Sequence, residues 1–303
     1  MIPFKINDLG QLFKATFKEW LAKDPFRQSA IIAYYAIFSI PGLLVLCIAI
    51  AGYFFGTDAV NQNLMQQISE TIGSQTALQI QEVLSKSTTE KSTTWGSIVG
   101  ISVLLVGATG VFVELQKTLN LIWNVKVKPQ NGIWLIVKAR LFSFGLILAI
   151  AFLLTISLVI STALVAVSNY IAFESSQFMM LLYGLLNFII SLAVISALFA
   201  MIFKILPDAK IKWKHVWLGS LVTGLLFTLG KMGLAYYFGK VQPASIYGAA
   251  GSVILILLWV SYSSMILFFG AEFTAAYAKM YSGTIAPTAI AKVEIPTTLE
   301  KTL

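Results

Sequence analysis

Six stretches of this sequence are long and apolar enough to cross a lipid bilayer as helices. The hydrocarbon core of a bilayer is about 30 Å thick and takes about 20 residues of α-helix to cross. Backbone polar groups in lipid must be satisfied within the structure, and the alternation of barrel strands is absent, so helices are expected. The sequence therefore predicts an all-α polytopic membrane protein with six transmembrane helices, at about residues 31–56, 95–113, 141–167, 178–203, 216–238 and 246–271.

The composition supports a surface that faces lipid rather than water. Hydrophobic residues make up 58% of the 303 residues and charged residues only 11%, with a mean hydropathy of +0.83. A water-soluble chain of this length needs more charge to cover its surface. The single cysteine, Cys47, lies in an apolar stretch and cannot form an intramolecular disulfide.

The lysines and arginines outside the spans are distributed unevenly. Five lie in the N-terminal segment, five in the second loop, four in the fourth loop and three in the C-terminal tail. The loops of the other face hold two, none and one, so the ratio is 17 to 3. Because positively charged loops stay in the cytoplasm, both termini are predicted to be cytoplasmic. The net charge of +8 is then a topology signal that also suits contact with anionic lipid head groups, and it does not indicate nucleic-acid binding.

The segments around the spans complete a single membrane domain, residues 29–280. The pattern of residues 1–28 predicts an amphipathic helix. This helix either lies in the cytoplasmic interface or packs against the bundle, and the pattern leaves both alternatives open. Residues 57–94 are the one sizeable extracytoplasmic segment and are expected to cap the bundle with short amphipathic helices. The tail, residues 281–303, is rich in Thr and Pro and is expected to be flexible.

Lys231 is the charged residue that the sequence places deepest in a span. It follows the cytoplasmic start of the fifth span by about 15 residues, or roughly 22 Å of helix, which puts it in the outer third of the bilayer. Ser220, Gly224 and Thr228 precede it at helical spacing and share its side of the helix. This small, polar side permits close helix packing, with Lys231 reaching toward the outer head groups. The alternative is a cationic group in a central cavity that meets an anionic head group.

The first and sixth predicted spans carry similar small, polar stripes. Tyr35 and Ser39 share one side of the first span, and Pro41 removes a backbone donor and is expected to bend it. Ser261 and Ser264 lie about one turn apart in the sixth span. Helix packing alone accounts for such stripes. The other interpretation is a polar cavity lined by three spans.

Ionisable residues also mark the cytoplasmic ends of the spans. Glu114 ends the second span, Glu272 ends the sixth, and Arg140 opens the third. Their similar depth predicts an interfacial cluster that either pins the helix ends or acts as a cytoplasmic gate or proton-linked site. Residues 114–130 are expected to continue the second span as a helix up to Pro129.

Several motifs resemble a known family. The stretches "AYYAIFSIPGLL", "GATGVFVELQKTLNLIWNV", "ILPDAKIKW" and "IYGAAGSVILILLWVSYSSMILFFGAEF" are similar, in order and spacing, to the YihY/BrkB family of bacterial inner-membrane proteins. The resemblance runs from about residue 20 to residue 280. It implies a multi-pass protein of the bacterial cytoplasmic membrane, in a family linked to envelope integrity and to transport. Some members carried the label of a tRNA-processing ribonuclease, and the family has no established catalytic residues to carry over.

The sequence disfavours the ribonuclease interpretation. Metal-dependent phosphodiester cleavage needs clustered carboxylates or histidines, and a metal-free mechanism needs an acid–base pair. His215 is the single histidine, and Asp208 is the only carboxylate near it in the sequence. A Gly-rich phosphate loop is absent, which excludes a P-loop ATPase.

These features favour a non-enzymatic transporter or flippase-like carrier of an amphipathic, lipidic or anionic substrate, without cofactor or metal. The expected partners are membrane lipids and the substrate, with a homo-oligomer possible and no nucleic acid. The alternative is a non-transporting scaffold that organises envelope machinery through its cap and cytoplasmic helices.

Overall fold

The computed structural model describes residues 8–72, 77–78, 80–81, 94–127, 177–241, 251–282, 285–288 and 291–293. These residues are largely helical, with two short strands. The helices are α1 (Asp8–Ala22), α2 (Pro25–Phe55), α3 (Thr57–Ile72), α4 (Thr94–Ile122), α5 (Gln177–Ile205), α6 (Trp213–Val241) and α7 (Gly251–Ser282), and the strands are β1 (Val125–Val127) and β2 (Ala291–Val293).

Three helices in the described part of the chain are long and apolar enough to cross a membrane. They cover Gly184–Ile205, Trp213–Phe238 and Val253–Tyr281. The exposed side of α6 is almost entirely apolar, as expected of a surface in contact with lipid. It consists of Leu221, Leu225, Leu229, Met232 and Tyr236, each between 45% and 70% exposed. The prediction of a largely helical chain with apolar helices of membrane length is thus confirmed.

The remaining predicted spans have different outcomes. Helix α4, of 29 residues, covers the second predicted span and extends beyond it. Helix α2, of 31 residues, begins before the first predicted span, at Pro25, and covers it up to Phe55. An apolar stretch in the sequence marks only the part of a helix that lies in lipid. A helix longer than its predicted span is therefore compatible with the prediction. The third predicted span, residues 141–167, lies outside the described residues, and the count of six spans stays a prediction.

The N-terminal helix and the cap follow the predicted pattern in the residues that are described. In α1 Leu12 is buried, and the ring of Phe13 lies 5.3 Å from that of Phe273 in α7. These contacts support the packed alternative for the N-terminal segment. Helix α3 begins directly after Gly56, whose φ of 86° separates it from α2, and Val60 of α3 is buried.

The prediction that the second span continues as a helix is confirmed up to Ile122 and is wrong for the residues that follow, up to Val127. Helix α4 ends at Ile122, and Asn124 has a φ of 50°. A left-handed residue ends a helix, and Asn tolerates that conformation better than most residues. The β-branched pair Val125 and Val127 then favours the extended conformation of β1.

The prediction of a flexible tail is wrong for residues 285–288 and 291–293, here named the strap. Strand β2 of the strap pairs antiparallel with β1, and Ala209 bridges Pro287. The backbone N–H of Lys210 donates to the carbonyl of Ala286 at 2.8 Å. The Thr- and Pro-rich composition indicates only that the tail has no core of its own. The composition of the tail gives no information on its hydrogen-bond partners elsewhere in the chain. Those partners are the unpaired backbone groups of β1 and of the loop at Ala209.

The chain divides into two compact units. One comprises Met1–Ala15, Asn120–Leu226 and Gly270–Leu303, and the other comprises Thr16–Leu119 and Phe227–Phe269.

In the first unit, α6 and α7 meet at two glycines and two threonines, here named the Gly–Thr contact. A Cβ added to Gly219 of α6 would lie 2.8 Å from the Cβ of Thr274 in α7. A Cβ added to Gly270 of α7 would lie 2.7 Å from the Cβ of Thr223 in α6. Each threonine therefore fills the space above the other helix's glycine, and the two helices run antiparallel at this point. Small residues allow such close approach in membranes, where lipid removes the hydrophobic force between helices.

In the second unit, glycines again mark the closest approaches between helices. A Cβ at Gly107 of α4 would lie 3.1 Å from the backbone nitrogen of Ser39 in α2. A Cβ at Gly230 of α6 would overlap the hydroxyl end of Tyr262 in α7. Close packing at glycine is thus a property of both units.

The Gly–Thr contact predicts a compensating pair of substitutions. Gly219→Ala should lower the free energy of unfolding by about 1–3 kcal/mol, because the new methyl group overpacks Thr274. The same substitution in a Thr274→Gly background should cost much less, because the Cβ that lies 2.8 Å from the new methyl group is then removed as well. Thermal unfolding in detergent would measure both effects.

The matched control is Gly233→Ala in the same helix, where an added Cβ has nothing within 4 Å. This control should be neutral or slightly stabilising, since Ala favours a helix over Gly by up to about 1 kcal/mol. Equal losses at Gly219 with and without Thr274 would contradict the contact.

Candidate functional site

The polar stripe of α6 divides into a packed part and a more open part. Ser220 is fully buried, and its hydroxyl donates to the carbonyl of Trp217 at 3.0 Å. A Cβ at Gly224 would lie 2.5 Å from Oγ of Ser196, so α5 closes over this position. Helix packing therefore accounts for Ser220 and Gly224.

Thr228 and Lys231 form the more open part of the stripe, because both are half-buried. In the described part of the chain, no carboxylate lies within ion-pair distance of the Lys231 ammonium group. Successive residues of an α-helix are about 100° apart, so Lys231 projects about 160° from the lipid-exposed Leu229 and about 100° from Met232. A half-buried cationic group can reach an anion without leaving a deeply buried site.

The stripe of α2 is explained largely by contact with α4. A Cβ at Gly110 would overlap the ring of Tyr35, and Gly107 lies against Ser39. The hydroxyl of the buried Ser39 donates to the carbonyl of Ala36 at 3.3 Å. Helix α2 continues through Pro41 without a break. Tyr35 and Ser39 therefore pack helices together, and the bend expected at Pro41 stays a prediction.

The serines of α7 tie that helix to α2. The hydroxyl of Ser261 donates to the hydroxyl of Ser29 at 3.2 Å, and that of Ser29 donates to the carbonyl of Phe26 at 3.0 Å. Ser264, about one turn further along α7, is buried. This hydroxyl chain satisfies polar groups within the protein, as hydroxyls at membrane depth require.

The three residues of the predicted gate have different outcomes. Glu114 of α4 lies 3.6 Å from the ammonium group of Lys117, one turn further along the helix. Glu272 of α7 is only 3% exposed and falls in the sequence between the Gly270 and Thr274 of the Gly–Thr contact. Arg140 lies outside the described residues. The cluster itself stays a prediction, and Glu272 is its one deeply buried carboxyl group.

A polar clamp that sequence reasoning missed joins the end of α4 to residues 206–212, which connect α5 and α6. The side-chain amide of Asn120 donates to a carboxylate oxygen of Asp208 at 2.8 Å. Its carbonyl oxygen accepts the backbone N–H of Asp208, also at 2.8 Å. Both side chains are buried, so each hydrogen bond satisfies groups that water does not reach. The two residues lie in the motifs "LNLIWN" and "ILPDAKIKW", but their pairing has no local signal.

Other contacts also hold residues 206–212, the loop between α5 and α6, in place. The ammonium group of Lys204 donates to the carbonyl of Ile211 and lies 5.7 Å from the ring centroid of Trp213. The strap contributes the N–H of Thr288, which donates to the carbonyl of Asp208 at 3.0 Å. The clamp, a cation–π contact and the strap therefore converge on one short loop.

His215 lies at the start of α6, where tryptophans form a belt typical of a membrane interface, but its own side chain is turned inward. Its side chain is 2% exposed, and its ring lies edge-on to that of Tyr277 at 5.4 Å. The belt itself consists of Trp213 and Trp217, which are 49% and 51% exposed. One turn of helix brings the tryptophans to the surface and turns the histidine inward, because residues two apart do not share a face.

The clamp predicts a charge-swap rescue. Asn120→Asp should lower the free energy of unfolding by about 2–4 kcal/mol, because two buried carboxylates would then face each other. Adding Asp208→Asn should restore most of this loss, since an amide would again donate to a carboxylate across the same contact. Thermal unfolding of the two single variants and the double variant would measure the coupling. Additive losses would show that the residues do not interact.

Comparison with known proteins identifies the family. The family model described as virulence factor BrkB matches residues 16–292. A UPF0761 membrane protein of Saccharophagus degradans is 27% identical over 280 residues, which cover 91% of this chain and 61% of the relative. Another from Verminephrobacter eiseniae is 31% identical over 193 residues, which cover 61% of this chain and 43% of the relative.

The chain thus spans about half the length of the curated relatives it matches. No solved structure matches it. The matched residues include all of α2 to α7, the clamp and most of the strap. The chain therefore belongs to the BrkB family of membrane proteins.

Proposed function

We propose that this protein is a carrier in the bacterial cytoplasmic membrane for an amphipathic or lipidic substrate with an anionic group. Three membrane-length helices and membership of a membrane-protein family support the location. The ratio of 17 to 3 in lysine and arginine supports six spans with both termini in the cytoplasm. Catalysis, cofactors and nucleic acid have no part in the proposal.

The observation that carries the proposal is the burial of Glu272. This carboxyl group is 3% exposed and lies on α7 within the apolar helix Val253–Tyr281. An ionisable group inside a membrane-spanning helix is costly, and such groups usually serve an ion or substrate pathway. Helix packing needs only small residues there, and Gly270 and Thr274 already supply them. Glu272 is therefore the residue of α7 most suited to a transport role.

Lys231 supplies the complementary charge for the substrate. Its half-buried position, outside the lipid-exposed side of α6, suits an anionic group whose apolar part remains in lipid. A lysine is a flexible point charge and does not demand one ligand geometry. Thr228, one turn earlier on the same side, adds a hydroxyl to this surface.

The packing contacts reduce the number of residues that are proposed to contact the substrate. Tyr35, Ser39, Ser220 and Gly224 are accounted for by contacts with neighbouring helices or with their own backbone. The proposed substrate contacts are accordingly Lys231 and Thr228. The proposed cytoplasmic gate rests on Glu272, and a part for Glu114 and Arg140 in it stays a prediction.

A non-transporting scaffold is the second candidate function, and the strap favours it. Backbone hydrogen bonds join the strap to β1 and to the loop at Asp208. Such an ordered surface, built from three separate parts of the sequence, suits a docking platform for other envelope proteins. A scaffold would need neither Lys231 nor Glu272 for its activity.

Lipid translocation in proteoliposomes would test the carrier proposal. Fluorescent phosphatidylglycerol should cross vesicles that contain the protein faster than vesicles without it. Lys231→Ala should slow this crossing by about tenfold or more, since a hydrogen bond to a charged group contributes about 1.5–3 kcal/mol. Glu272→Gln, which keeps the shape of the side chain, should also slow it.

The matched control is Lys240→Ala, which removes an exposed lysine from the last turn of the same helix and should leave the rate unchanged. An established translocation activity that survives both Lys231→Ala and Glu272→Gln would contradict the assigned roles. Absence of any translocation, together with stoichiometric capture of an envelope protein, would favour the scaffold.

A further inference from the structure

Strands β1 and β2 bring two lysines into direct opposition. In the antiparallel ladder Lys126 is the partner of Lys292, and both side chains are exposed. Side chains directly opposite each other project from the same face of a ladder, with Cβ atoms about 5 Å apart. Like charges at that spacing repel each other. An anion held between them would convert the repulsion into attraction.

The same strap lies against a second group of exposed lysines. The backbone N–H of Lys210 donates to the carbonyl of Ala286 in the strap, and Lys212 and Lys214 follow it. The carboxylates of Asp208 and Glu272 in this unit are buried. Among the described residues of β1, the strap and residues 206–217, the exposed ionisable side chains are therefore all basic.

The neighbouring tryptophans set the depth of these lysines. Trp213 and Trp217 are about half exposed at the start of α6, a helix of membrane length. Exposed tryptophans at the end of such a helix mark the level of the lipid head groups. Lys212 and Lys214 flank Trp213 in the sequence and so lie at the level of lipid phosphates. Charge and depth together favour anionic phospholipid over a soluble partner.

We propose that Lys126, Lys292, Lys210, Lys212 and Lys214 form a docking surface for anionic phospholipid head groups, here named the basic face. The strap supplies Lys292 and also bonds to the backbone at Lys210, so its pairing with β1 assembles the surface. This role does not depend on the proposed transport, because it concerns lipid held at the protein's edge and not substrate that crosses.

Native mass spectrometry in neutral detergent would measure this binding. The purified full chain would be titrated with dioleoyl phosphatidylglycerol and, in parallel, with dioleoyl phosphatidylcholine. Phosphatidylglycerol should bind more tightly, and higher salt should weaken it. Lys126→Gln with Lys292→Gln should reduce its affinity by about fivefold for each lysine removed. Lys126→Arg with Lys292→Arg should retain the affinity, because the charge is kept.

Lys240→Gln removes an equally exposed lysine at the far end of α6 and should leave the affinity unchanged. Lys210→Gln with Lys212→Gln provides a second pair outside the strands, so the test does not depend on the stability of β1 and β2. Equal affinities for the two lipids would overturn the proposal. So would two Gln pairs that bind phosphatidylglycerol as tightly as the unchanged protein.

Discussion

The Gly–Thr contact between α6 and α7 is the interaction on which the rest of the first unit depends. Lipid offers no hydrophobic force to drive two apolar helices together, so close van der Waals packing must do so. Each threonine hydroxyl donates to the carbonyl of the glycine four residues before it in its own helix, at 2.6 Å for Thr223 and 2.7 Å for Thr274. The polar atoms are thus satisfied within each helix, and the whole threonine side chain, its hydroxyl oxygen nearest, fills the space above the opposite glycine. This contact holds in place the segment of α7 that buries Glu272.

The packing contacts also show which residues of the small, polar stripes serve helix packing and which are left to line a proposed substrate cavity. Where a stripe residue meets a neighbouring helix, as at Gly224 against Ser196, its size serves helix contact. Lys231 cannot be explained in this way, because it is large, charged and half-buried. The buried carboxyl group of Glu272 likewise exceeds what packing requires. A functional role therefore rests on these two residues and not on the stripes as a whole.

The sequence predicts the elements of this fold better than their contacts. Apolar length identifies membrane helices such as α5 because a bilayer requires it locally. The spacing Gly-x-x-x-Thr is visible at Gly219 and at Gly270, yet nothing in either segment says that the two pair. The clamp between Asn120 and Asp208 joins residues 88 positions apart, so local composition carries no trace of it. The sequence also did not predict the structure of the strap, because that structure depends on hydrogen bonds to β1 and not on the strap's own residues.

The central claim is that Lys231 faces a path open to charged molecules, whereas the neighbouring side of α6 faces lipid. Cys47 is the only cysteine, so a Cys47→Ser background permits labelling at one chosen position. Lys231→Cys and the lipid-facing Leu229→Cys would each be treated with a charged, membrane-impermeant thiol reagent. The account predicts rapid labelling at position 231, slowed by an anionic amphiphile, and little labelling at position 229. Equal resistance at both positions would contradict it.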